Sequence, residues 1–263
     1  MAEFIGGKGL DLTRAALKQY YATQHRMYKW FSARAWDVCS IHDDFQGPVI
    51  DTNRWTVGNG GGAGVASPAV SVGLVNGQIT MVTGTANDNT ASSTLKGGRH
   101  FYGQNNAIIL ARIAIVSVVT GVKVEIGFSD AITTAAADHA VVATKATPTF
   151  TGTDGVVWIL DTTDNVYWEG VAVANTVAAV TVEAAISPVA STFEYLQVAL
   201  VGTVAFFSRF DAAGRRTYGP VAQAAAVTAN VLLAPHVTIE ARDATSKDLR
   251  VDALWVYQGR TTD

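Results

Sequence analysis

The sequence predicts an all-β protein, a two-sheet antiparallel sandwich behind a helical N-terminal arm. Three observations carry that expectation. The apolar fraction is 49% with charged residues at only 16%, and Ala and Val supply much of it, a β-branched bias that suits strands. From residue 43 onward apolar residues follow period two, between turn residues spaced as in a β sandwich. The first forty residues are of another kind, with helical spacing and basic charge.

The arm, residues 1–42, holds six basic residues between Lys8 and Arg34 (Lys8, Arg14, Lys18, Arg26, Lys29 and Arg34) against one acid, Asp11. Asp11 is placed to cap a helix that begins Leu12-Thr13-Arg14-Ala15 and runs on through good helix formers. Leu17, Tyr21, Tyr28 and Phe31 then recur at helical spacing, joined by Tyr20, Met27 and Trp30. Tyr, Trp, Met and Arg are enriched in interface cores, so the stripe and its cations Arg14, Lys18, Arg26 and Lys29 are expected to bind a partner protein. The same stripe could instead pack against the chain's own β domain, and basic charge interleaved with aromatics is also what a helix on nucleic acid or a membrane surface shows.

Residues 43–263 are expected to form one β domain. The clearest strands are Gln78 to Val82, Ala107 to Val118, Val122 to Phe128, Val156 to Leu160, Thr192 to Val201, Val204 to Arg209, Val237 to Ala241 and Leu249 to Tyr257. Turn chemistry separates them at Gly58 to Gly62, Asn76-Gly77, Lys96 to Gly98, Asp154-Gly155, Asp211 to Gly214 and Tyr218-Gly219-Pro220. The Ala-rich tracts at Ala135 to Ala137 and Ala224 to Ala226 read as loops or edge strands. In the last strand, Leu249, Val251, Ala253, Trp255 and Tyr257 are expected to share one apolar face.

Composition also excludes classes of function. No apolar run is long enough to span a membrane, and Met1-Ala2-Glu3-Phe4 does not open a signal peptide. The net charge of −3 gives no general attraction for nucleic acid or anionic lipid. Cys39 is the single cysteine, so it cannot form an intramolecular disulfide and has no second thiol for a metal. Neither a Gly-x-Ser-x-Gly elbow, a phosphate loop nor a His-Glu-x-x-His helix occurs.

The segment Asp43-Asp44-Phe45-Gln46-Gly47-Pro48-Val49-Ile50-Asp51-Thr52-Asn53-Arg54-Trp55 resembles the opening of concanavalin A-like lectin and glucanase domains. Val124 to Asp130, Asp154 to Trp158 and Leu249 to Tyr257 resemble their inner and closing strands. The resemblance implies a jelly-roll order, with the last strand beside the strand that follows Asp44. It also implies a source, since this string of motifs resembles above all structural proteins encoded by bacteriophages.

Glucanases of this superfamily carry Glu-x-Asp-x-x-Glu on one strand, and the nearest match is Glu125-Ile126-Gly127-Phe128-Ser129-Asp130. Glu125 would stand at the nucleophile position, but Gly127 replaces the central Asp and Asp130 is shorter than the expected acid. A retaining mechanism needs two carboxyl groups about 5 to 5.5 Å apart, so no hydrolase activity is expected. Calcium candidates are Asp161, Asp164 and Asn165, with Asn87-Asp88-Asn89 as another cluster; neither supplies six oxygens alone. Tyr167 and Trp168 are candidates to stack on a sugar ring, with simple core packing as the other reading of Trp168.

The reading is a bacteriophage virion structural protein, a capsid decoration protein displaying a lectin-like sandwich, without catalytic residues, cofactor, nucleic acid or membrane. It would be assembled in the host cytoplasm, with other virion proteins as partners and a homo-oligomer on the particle. The alternatives are a tail or baseplate protein binding a cell-surface glycan and, more remotely, a glucanase-type hydrolase.

Overall fold

The computed structural model describes residues 38–60, 62–71, 77–85, 92–131, 152–178 and 182–259. Among them the regular structure is strand, apart from a short 3-10 turn at Gly103–Asn105. The arm's predicted helix with its basic and aromatic residues lies outside the described residues, as do Asn87 to Asn89 and Ala135 to Ala137.

Two antiparallel sheets pack face to face. Sheet A holds β1 (Val38–Asp43), β3 (Ala66–Val70), β4 (Ile79–Val82), β7 (Ile108–Ile115), β13 (Glu194–Val201), β14 (Val204–Phe210), β15 (Arg216–Gln223) and β17 (Asp248–Gly259), numbered along the chain. Its order is β15-β14-β13-β7-β17-β4-β3, with β1 also paired to β17. Sheet B holds β2 (Trp55–Asn59), β5 (Ser92–Gly97), β6 (Phe101–Tyr102), β8 (Val122–Ser129), β9 (Gly155–Asp161), β10 (Trp168–Ala174), β11 (Val177–Ala178), β12 (Val182–Ala184) and β16 (Leu232–Ala241). Its order is β11-β10-β9-β8-β16-β5-β2, with β12 on β10 and β6 on β16.

Period-two patterning builds the core, because alternate residues of a strand share a face. Ile109, Ala111, Ile113 and Ile115 of β7 meet Val122, Val124, Ile126 and Phe128 of β8 in one buried cluster. Trp158 sits within it, edge-on to Phe207 at 5.2 Å, and its indole N–H donates to the Gln197 carbonyl at 2.9 Å. That bond satisfies the one polar atom of a fully buried ring. The opening motif closes on itself in the same way. Asp43 accepts from the Phe45 amide and the Trp55 indole, both at 2.9 Å, and Phe45 and Trp55 are both buried.

Each of the eight strands read from the sequence has its counterpart, in β4, β7, β8, β9, β13, β14, β16 and β17. Three expectations are corrected. The strand of the opening region that lies beside the last strand is β1, which precedes Asp44, in register from Val38 opposite Gly259 to Asp43 opposite Leu254. The strand that follows Asp44 is β2, which pairs with β5 in the other sheet. Val38–Asp43, within the stretch assigned to the arm, is thus a strand of sheet A. Second, β17 does not keep one apolar face, because its pairing with β7 shifts register between Val251 and Ala253. An extra residue reverses the alternation. Leu249, Val251, Leu254 and Val256 are in the core, while Trp255 packs with Tyr195, Phe210 and Leu110 in a separate cluster. Third, three expected turns are strand in whole or part: Gly58-Asn59 ends β2, Lys96-Gly97 ends β5, and Tyr218-Gly219-Pro220 is part of β15, opposite a register shift in β14. Pro220 is tolerated there because among the described residues β15 is an edge strand, where a missing N–H need break no ladder.

Candidate functional site

The face of sheet B that points away from the core carries a buried polar cluster. On β8, Val122, Val124, Ile126 and Phe128 take the core side, so Lys123, Glu125 and Gly127 take the other. Register places Glu240 of β16 opposite Lys123, Thr238 opposite Glu125 and His236 opposite Gly127. On the far side of β16, Ser92, Thr94 and Lys96 of β5 stand opposite Glu240, Thr238 and His236.

Lys123 links two carboxylates. Its ammonium donates to Glu240 at 3.2 Å and lies 3.5 Å from Glu125, with all three side chains 1% exposed. His236 Nε2 is 3.7 Å from the second oxygen of Glu125, and neither ring nitrogen has a hydrogen-bond partner. Burial raises the pKa of the Glu240 carboxyl; the Lys123 charge opposes this and the Glu125 charge adds to it. Next along the face, Arg242 donates to Asp161 at 2.7 Å. Burial pushes the Asp161 carboxyl up, but the Arg242 bond and charge, together with Thr163, outweigh it, leaving its pKa below the ordinary value.

The glucanase-type spacing can now be placed on this geometry. Glu125 does lie on the non-core face of a central strand, but Gly127 cannot be exchanged for a carboxylate, since a Cβ there would stand 2.1 Å from the Val156 carbonyl oxygen. Asp130 lies beyond the end of β8, where it accepts from the amides of Thr153 and Asp154 at 3.1 Å and from the Thr153 hydroxyl. It clamps a loop.

The remaining sequence candidates scatter. Trp168 is fully buried and donates its indole N–H to Glu194 at 3.0 Å, so it cannot stack on a sugar; Tyr167 beside it is half-buried. Glu194 in turn accepts from Arg209, forming an ion pair on the core side of sheet A. Asp161 is engaged by Arg242, while Asp164 is exposed and Asn165 donates to Glu169 at 2.8 Å. Among the described residues no group of three or more His, Cys, Asp or Glu side chains is placed to hold a metal. Lys123, His236 and Glu240 escaped the sequence reading. The spacing Lys123-x-Glu125 gave a local hint, but the partners on β16 come from more than a hundred residues away.

No family model and no curated protein matches the chain. Solved structures do. A protein of unknown function from Shewanella oneidensis MR-1 superposes with a TM-score of 0.60 at 14% identity, over 91% of this chain and 95% of that one. Peanut lectin matches with a TM-score of 0.57 at 10% identity, over 86% and 99%. The β-glucanase of Bacillus licheniformis matches with a TM-score of 0.52 at 10% identity, over 84% and 98%. With its two antiparallel sheets, the chain therefore has the jelly-roll fold of the concanavalin A-like lectins and glucanases.

Proposed function

We propose that the chain is a non-enzymatic structural protein of a bacteriophage particle, a capsid decoration protein whose sandwich is displayed outward and whose arm joins it to other virion proteins. The observation that carries the non-enzymatic part is the state of Glu125. It shares the Lys123 ammonium with Glu240, both carboxylates are 1% exposed, and the position two residues on has room for glycine alone. A glycosidase of the usual two-carboxylate kind needs one carboxyl free to protonate a leaving group and another free to attack or to activate water. Carboxylates buried around a lysine instead hold strands together.

The particle assignment rests on the motif resemblance and on the change of composition near residue 40, where a basic, aromatic segment gives way to the sandwich. A decoration protein needs those two parts, one to grip and one to display. The test is to image purified particles labelled with an antibody against residues 38–259. Regular labelling of the capsid surface is expected. Label confined to the tail would move the protein to host attachment, and particles without label would overturn the reading.

A further inference from the structure

We draw no further inference here: the strongest candidate, the surface patch on the outer face of sheet A where exposed His42 stacks on half-buried Trp255 and the Arg112 guanidinium lies over the Phe193 ring, carries nothing, because nothing in the structure shows what covers it.

Discussion

Replacing Lys123 by Met removes the ammonium that Glu125 and Glu240 share and leaves the aliphatic volume nearly unchanged. Both carboxylates are 1% exposed, so the variant confines two like charges in a space that water does not reach. Breaking a buried pair by deleting one partner costs about 3–5 kcal/mol. For a sandwich of this size each kcal/mol lowers Tm by roughly 2–4 °C, so a fall of about 10 °C is expected. The effect depends on pH in a stated direction. Burial already raises Glu240 above the ordinary carboxyl value, so the folded state holds a proton more readily than the unfolded chain. Stability from that source is full below the unfolded pKa and is lost as pH rises through the folded one. Without Lys123 the folded value moves further up, so the variant's deficit is largest at pH 8 and shrinks toward pH 5. Urea unfolding followed by circular dichroism at both pH values measures it. A loss below about 1 kcal/mol, equal at the two pH values, would refute the view that Lys123 is the cluster's counter-ion.

Other perturbations probe independent parts of the account. Glu194→Ala leaves Arg209 in the core without its carboxylate and Trp168 without its acceptor, and is expected to cost about 3–5 kcal/mol in denaturant unfolding, whereas an exposed pair such as Asp211–Arg215 should cost under about 1 kcal/mol. Gly127→Ala forces a Cβ against the Val156 carbonyl and is expected to separate β8 from β9, seen as faster amide exchange in Val156 to Leu160; unchanged exchange would contradict the close approach. Arg242→Gln removes the group that lowers Asp161, so its destabilisation should be full above the unfolded carboxylate value of about 4 and vanish as pH falls through the folded one; a loss that persists in acid would point to packing instead.

Much of the fold was legible because period two is a local signal. Each strand with clean alternation could be read from its own residues, and the Asp43–Phe45–Trp55 motif marked the entry to the sandwich. What escaped was set by contacts distant in sequence. The bulge in β17 is invisible in Leu249 to Tyr257, since either register leaves one apolar face and only pairing with β7 decides that Trp255 points out. β1 carries few β-branched residues and becomes a strand because β17 offers it an edge. Trp168 could be read as a sugar-stacking aromatic or as core, because the flanking Tyr167 and Glu169 are also what a strand buried on one face presents, and only the fold decides for the core. Of the polar cluster on sheet B, Glu125 could be named from a motif, but its state could not, because Lys123 becomes a counter-ion only once β16 brings Glu240 alongside.

Whether Glu125 serves structure or hydrolysis is read from reducing-end release from β-glucans and bacterial surface polysaccharides by the purified full chain and by Glu125→Gln. With Glu125 structural, neither protein releases sugar above buffer, and the variant has a lower Tm because Lys123 loses one of its two carboxylates. Release by the parent that disappears in Glu125→Gln, with the sandwich still folded, would contradict the structural role.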